Sequence, residues 1–598
     1  MEYKESFLAT IREMCEKLQK SLLSFCSNLL CVAEGSLDNK TEKEPYAYLS
    51  PAIPDPDHPR PGSIPGGDDR ENSYAHLQGC LLEETRPRIC VGAMILLPCG
   101  DARGLERKNL QAQEAAELRR KAEEAGIIPP PIPKPEVAAA DDSEARRVTV
   151  KQMTKFAWDN YRKYAWGSNE LRPVSKKGHS ASVFGAGDIG ATIVDAIDTL
   201  WIMGLKEEYE QARSWIQHSL DFSRAARGDL SVFETNIRFV GGLLSIYALT
   251  NDRMYVEKAE SIAKLLLPAF DTPTGIPYAL VNPTTGSTKN YGWASGGCSI
   301  LSEFGSLQLE FDYLSHVSGN KIYSEKVQKI RNFLTQMEKP KGLYPLYLNP
   351  RTGKWGSLDH SIGALGDSFY EYLLKHWLIT GKKDELTKNE YDAAVFAMEK
   401  KMLFESQQQK LWYFANLRGS RVEHKMEHLA CFSGGMFALH SANEDNSTAA
   451  AHYLDLAEKL AHTCHESYVR TAVGIGPEAF RFTKDVEAQA VSTNEKYYIL
   501  RPEVVETWFY LWRITKQDKY REWAWNVVLA LEKHAKVEAG YSGIRDVYSV
   551  PVEYDDVQQS FIFAELFKYL YLIFSDDNVL PLDRWVFNTE AHPFPVRS

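Results

Sequence analysis

From Thr149 almost to the C-terminus, apolar residues return every three or four positions, and that period leaves the chain few folds to choose from. Residues 150–165, 189–203, 207–222, 236–250, 255–267, 302–316 and 323–337 carry it. Residues 364–378, 390–404, 448–468, 503–515, 519–533 and 559–574 continue the series. Turn signals such as Thr272-Pro-Thr-Gly and Asn349-Pro-Arg-Thr-Gly separate the segments. No β–α alternation runs through the region, which disfavours a parallel sheet. Paired helices of similar length predict an all-α fold, a toroid or a solenoid, and no strict repeat supports the solenoid.

The preceding residues, 1–148, read as a variable region and stem, largely extended or poorly ordered, ahead of a folded domain at 149–598. Residues 51–67 are rich in Pro, Gly and Asp, 111–126 form a charged helix without a broad apolar face, and 128–135 are a polyproline spacer. The apolar runs 21–33 and 89–98 are too short or too broken to cross a bilayer, and no clean signal peptide precedes them. Two sequons, Asn39-Lys-Thr and Asn446-Ser-Thr, lean weakly towards the secretory route.

Charge narrows the partners. Against 80 acidic residues stand 69 basic ones, with no basic block, so a nucleic-acid partner is excluded. The 13 Trp and 30 Tyr suit sugar faces, although most serve to fill the spaces between helices. Six of the nine cysteines fall in the first hundred residues, and no zinc-ligand spacing occurs. Cys431 and Cys464 fit equally a staple between consecutive helices or two free buried thiols.

Five segments place carboxylates among apolar or aromatic neighbours: FETNIR (233–238), ALGDSFYEY (364–372), LRPEVVET (500–507), QQSFIFAE (558–565) and FNTEAHP (587–593). An ionised group there is costly unless paired, hydrated or bound to a cation. Several in one chain point to a shared acidic pocket, as sugar cleavage or a hard cation requires. Glu234, Asp367 and Glu503 sit at loop-to-helix junctions, where a ring of helices would project them into one mouth. Arg238 lies four residues after Glu234, in ion-pair register. Glu503 and Glu506 share a face of a helix starting after Pro502, and they repel unless a cation or proton relieves them. Asn588, Thr589 and Glu590 offer hard oxygen donors of the kind calcium takes, although not as an EF-hand loop.

Together with YRKYAWG (161–167), DAIDTLWIMGL (195–205), LGDSFYEYLLK (365–375), HLACF (428–432) and FSDD (574–577), these segments resemble the class I α-mannosidases, glycoside hydrolase family 47, over residues 150–595. GDSFYEYLL, EKYYILRPE (495–503) and TCHESY (463–468) are similar to the Golgi branch more than to the endoplasmic reticulum enzyme. The resemblance implies an (αα)7 barrel closed at one end by a C-terminal β-hairpin. It implies a Ca2+ held directly by Thr589, with Glu506, Glu565 and Glu590 acting through water. Glu234 is then an acid acting through water, Asp367 the competing acid and Glu503 the base. Arg238, Glu303, His428, Arg501, Pro502 and Phe561, with Glu506 and Glu565, line the sugar pocket, and Cys431 pairs with Cys464. The activity implied is removal of terminal α1,2-linked mannose from Asn-linked high-mannose glycans, towards the five-mannose form. Leu365 stands where the endoplasmic reticulum enzyme carries Arg, which predicts loss of a branch-specific contact and broad trimming. Golgi members of the family are type II membrane proteins, and residues 89–98 resemble only the lumenal end of such an anchor. The intact carboxylates argue against the alternative, a mannosidase-like lectin without turnover.

Overall fold

The structure is a computed structural model and describes residues 142–597. Residues 1–141, most of the predicted stem 1–148 and including 89–98 and Asn39, lie outside the described residues, and 143–148 belong instead to the first helix of the domain. Among those described, fourteen α-helices have seven residues or more. They are α1 (Ser143–Tyr164), α2 (Ala191–Ile202), α3 (Lys206–Ser219), α4 (Gly241–Thr250), α5 (Arg253–Leu266), α6 (Gln308–Ser318) and α7 (Ile322–Gln336). There follow α8 (Asp367–Ile379), α9 (Glu385–Met402), α10 (Phe432–Ser441), α11 (Ser447–Val469), α12 (Glu503–Thr515), α13 (Lys519–Ala530) and α14 (Phe567–Ile573). None is long and apolar enough to cross a membrane.

Two kinds of helix alternate along the chain. The odd-numbered helices bury one stripe and leave the opposite face wet: α5 buries Tyr255, Val256, Ala259, Ile262, Ala263 and Leu266. The even-numbered helices are buried nearly all round, as Ser368–Ile379 of α8 and Phe432–His440 of α10 are. Each even helix packs on the odd helix that follows it, and α14 packs on α1. Each even helix also touches the next even one from α2 round to α14, and residues 562–566 ahead of α14 touch α2. Polar caps start the outer helices: Asp252 receives the amide of Met254, and Asp384 that of Thr387.

Three details differ from a uniform helical period. Residues 302–316 are not one helix: Leu301–Gly305 ends at Ser306, whose φ/ψ of −123°/49° leaves the helical region, and α6 starts afresh. Gly305 lies against Phe369 so closely that a Cβ would stand 2.3 Å from the ring. Residues 236–250 and 559–574 each contain a π-helical turn, Thr235–Val240 and Ile562–Leu566, which carry Arg238 and Glu565 respectively. Short antiparallel ladders, invisible to a helical period, lead into the helical segments that carry the acids. Leu230–Ser231 pairs with Leu280–Val281 just before Glu234, and Ser299–Ile300 pairs with Tyr347–Leu348 just before Glu303. At the C-terminus Trp585–Phe587 pairs antiparallel with Pro593–Pro595, and this hairpin packs on α4 and α8. Its tip, 588–592, carries Thr589 and Glu590. Cys431 at the head of α10 and Cys464 in α11 are joined as a disulfide.

Candidate active site

Ser231 ends its ladder and caps the turn Val232–Glu234, accepting the Glu234 amide at 3.2 Å. The Arg238 Nε donates to Glu234 Oε2 at 2.8 Å, and its Nη1 donates to Glu590. Asp195 Oδ2 and Ser560 Oγ each stand 3.4 Å from the same Nη1. The guanidinium lies 5.5 Å from the centre of the Phe561 ring and 5.9 Å from that of Phe184. Burial opposes its charge, but Glu590, Glu234 and Asp195 outweigh burial and raise its pKa well above the usual value. Arg238 is thus the hub of an acidic floor as well as the partner of Glu234.

Glu303 faces Glu234. Burial first, then the Glu234 charge, push its carboxyl up to about 8, while a hydrogen bond with Tyr291 pulls the other way. Tyr291 stacks on Trp293 at 5.2 Å and 18°, and the Trp293 indole is 47 % exposed. Leu365 packs with Tyr291 onto Ala294, Cys298, Ile300, Leu346 and Tyr347. Its φ of +74° lies in the left-handed region that a branched side chain rarely enters, and Leu500 beside Arg501 is held at +68°.

Asp367 and Glu503 each open an inner helix and are half-buried, at the edge of otherwise buried surroundings. Their environments push them in opposite directions. Burial raises Asp367 to about 7, aided by Glu371, Glu503 and Glu427 and opposed by the Ser368 amide that donates to Oδ1 at 2.8 Å. Burial also works on Glu503, but the hydrogen bond and charge of His428, then Arg501, outweigh it and hold the carboxyl below its usual range. His428 Nδ1 is 2.7 Å from Glu503 Oε2, and Arg501 Nη1 is 3.9 Å from Oε1. Arg501 is clamped in turn by Glu478, with Nη2 to Oε1 at 2.7 Å. Pro502 is the buried N-cap between them.

Below lie Glu506, Glu565 and Glu590. Burial raises Glu506 to about 8, with Glu371 and Glu503 adding to it and Lys375, 4.0 Å away, opposing. Burial and the charges of Glu590, Glu503 and Glu506 push Glu565 well up, and burial with Asp195 and Glu234 does the same to Glu590 against Arg238. The hairpin tip is pinned through Asn588. Asn588 Nδ2 donates to Glu310 Oε1 at 2.7 Å and to the Ile237 carbonyl at 3.0 Å, and Asn588 Oδ1 receives the amides of Glu590 and His592. The Thr589 amide donates to Tyr372 Oη at 3.4 Å. Among the described residues, no protein donor reaches the Thr589 hydroxyl or carbonyl.

This donor set fits a divalent cation. Three buried carboxyls, Glu506, Glu565 and Glu590, are all raised, and Thr589, next to Glu590 in the chain, keeps two unengaged hard oxygens. The fit is that of a hydrated ion. Among the described residues, His462, His465 and Glu466 on α11 are the group of three His, Cys or carboxylate ligand atoms that lie within 4.8 Å of one another.

Glu234, Asp367, Glu503, Arg238, Glu303, Leu365, His428, Arg501, Pro502, Glu506, Phe561, Glu565, Thr589 and Glu590 therefore form one connected neighbourhood, although their positions span most of the domain. Its further members are legible in the sequence to different degrees. Glu371 and Lys375 follow Asp367 at four-residue steps and are ion-paired, a register that was legible. Asp195, Glu427, Glu478 and Tyr468 carry no local signal. Nor does Glu310, fully buried, which holds Asn236, Tyr372 and Asn588 at 2.7–2.9 Å.

The family model for glycosyl hydrolase family 47 matches residues 153–596, and the chain belongs to that family. Among its relatives, mannosyl-oligosaccharide alpha-1,2-mannosidase IA of Drosophila melanogaster is 58 % identical over 455 residues, 76 % of this chain and 68 % of the relative. Mannosyl-oligosaccharide 1,2-alpha-mannosidase IB of Mus musculus is 53 % identical over 482 residues, 80 % of this chain and 75 % of the relative. The solved alpha-1,2-mannosidase from Trichoderma reesei superposes with a TM-score of 0.69 at 29 % identity, covering 76 % of this chain and 99 % of that one.

Proposed function

We propose that this chain is an inverting, calcium-dependent exo-α1,2-mannosidase that trims Asn-linked high-mannose glycans towards the five-mannose form in the Golgi lumen. The observation that carries it is the opposite displacement of two neighbouring carboxyls: Asp367 is raised to about 7, and Glu503 is held low by His428 and Arg501. Inversion needs one carboxyl that keeps a proton and one that stays ionised. Relatives named as mannosyl-oligosaccharide mannosidases supply the substrate class. The architecture we assign is an (αα)7 barrel of seven inner and seven outer helices, with the C-terminal hairpin closing one end.

Glu503 takes a proton from water as the water oxygen attacks the anomeric carbon. The bond to the departing oxygen breaks, that oxygen takes up the proton of the acid, and the released mannose has inverted configuration. Asp367 is the proton source its surroundings favour. Glu234 accepts from Arg238 and holds that cation beneath the sugar face, with Phe561 beside it. Thr589 would hold the calcium directly and Glu506, Glu565 and Glu590 through water, and the ion would supply a docking point for sugar hydroxyls. Leu365, apolar and beside Tyr291, offers no charged contact to a single branch, in keeping with broad trimming.

Incubation of the purified chain with a nine-mannose glycan, with and without EDTA, tests the reading by mass spectrometry of the products. Stepwise loss of up to four mannoses in calcium supports it. Binding without any product in calcium identifies a lectin instead, and release of one middle-branch residue alone refutes broad trimming.

A further inference from the structure

Asn446 opens the sequon Asn446-Ser447-Thr448, whose middle residue is not proline. Among the described residues it is the only such triplet, because Pro283 disqualifies Asn282-Pro283-Thr284. All three of its residues are exposed, as is Asp445 before them. The two side-chain atoms of Asn446 are used unequally. Oδ1 caps α11, receiving the amides of Thr448 at 3.0 Å and Ala449 at 3.2 Å. Nδ2, the atom that carries sugar in an N-glycoprotein, donates to nothing among the described residues. A glycosylated amide keeps its carbonyl oxygen, so the cap and a glycan coexist on one side chain.

We propose that Asn446 is an N-glycosylation site, bearing an oligosaccharide of the same high-mannose class as the substrate. In the addition, Nδ2 forms a bond to the anomeric carbon of the first N-acetylglucosamine of a polyprenyl-pyrophosphate-linked oligosaccharide. The bond from that carbon to the pyrophosphate oxygen breaks, polyprenyl pyrophosphate leaves, and Nδ2 gives up one proton. The inference rests on the lumenal part of the proposed function, and the disulfide Cys431–Cys464 is the structural sign of an oxidising compartment.

The position decides what such a glycan does. Asn446 heads α11, whereas Tyr468, the partner of His428 beside Glu503, lies near its other end. Twenty-two residues of helix separate them, about 33 Å at 1.5 Å per residue. The glycan is therefore attached at the end of α11 remote from the His428–Glu503 pair.

The test is site-specific mass spectrometry of the full chain from a secretory eukaryotic host. Glycosidase release in 18O-water should mark Asn446 as labelled aspartate. Thr448→Ala destroys the sequon but leaves the capping oxygen, so it should lose the Asn446 glycopeptide entirely with kcat/KM unchanged. Asn446→Asp keeps a capping oxygen and should behave likewise. Unmodified Asn446 in a chain whose Cys431–Cys464 bond is oxidised overturns the glycan site and leaves the lumenal reading standing. Unmodified Asn446 with both cysteines reduced overturns the two together.

Discussion

His428 bridges Glu503 and Tyr468: its Nδ1 lies 2.7 Å from Glu503 Oε2 and its Nε2 2.6 Å from the Tyr468 hydroxyl. Burial raises the Tyr468 pKa well above its usual value, so the phenol keeps its proton. Nδ1 donates to the Glu503 carboxylate. The bridge aims Glu503 and keeps it ionised. His428→Ala removes a hydrogen bond to a charged group, about 1.5–3 kcal/mol. We expect kcat/KM to fall roughly ten- to a hundredfold. The acid limb of its pH profile should move to higher pH, because Glu503 loses the partner that depressed its pKa. An unchanged limb would show that the bridge does not tune the base.

Asp367 sets the alkaline side. An acid acts while protonated, so turnover should be full well below the raised pKa and decline as pH climbs through about 7. Asp367→Asn should lower kcat on a natural α1,2-mannoside by about 10²–10⁴. With α-mannosyl fluoride, whose leaving group needs no proton, the same variant should keep most of its rate. Equal losses on both substrates would remove Asp367 from the role of acid and return it to Glu234.

Calcium should stabilise as well as activate. An ion bound only to the folded state adds about 2.7 kcal/mol at a hundred times its Kd. The melting temperature of the metal-stripped chain should therefore rise with added Ca2+, and much less with Mg2+, which resists dehydration. Thr589→Val deletes one hard donor at nearly constant volume. It should shift the Ca2+ dependence of both melting and activity to higher concentration. Full activity after exhaustive chelation would sink the assignment.

Trp293 rests on Tyr291, which itself bonds Glu303, and nearly half of its surface is free. An exposed flat ring at the lip of a sugar site is a platform for a residue beyond the cleaved one. Trp293→Ala should raise KM for a nine-mannose glycan a few-fold, as loss of about 0.5–1.5 kcal/mol of stacking implies. The KM for α1,2-mannobiose, too short to reach the platform, should not change.

Much of the helical architecture was legible, because each helix announces itself locally: the Tyr255–Leu266 stripe needs nothing from elsewhere in the chain. The carboxylates were legible for a similar reason, since Glu565 among Phe561, Ile562 and Phe563 is conspicuous by itself. The π turns were not, because the period shifts by a single residue. Glu310 was not either, because an acid in QLEFDYL resembles any other on a helix until Asn588, 278 positions away, is laid against it. For Cys431 and Cys464 the residues alone left two outcomes open, and folding places their Cα atoms 6.0 Å apart.

The amino-acid order by itself therefore determined which segments are helical and which polar groups break their apolar faces, since both depend on neighbours within one or two turns. The tertiary structure decided which way the pKa values of Asp367 and Glu503 are pushed. Arg238 meets Glu590 across 352 positions and His428 meets Glu503 across 75, and burial together with such distant partners separates the acid from the base.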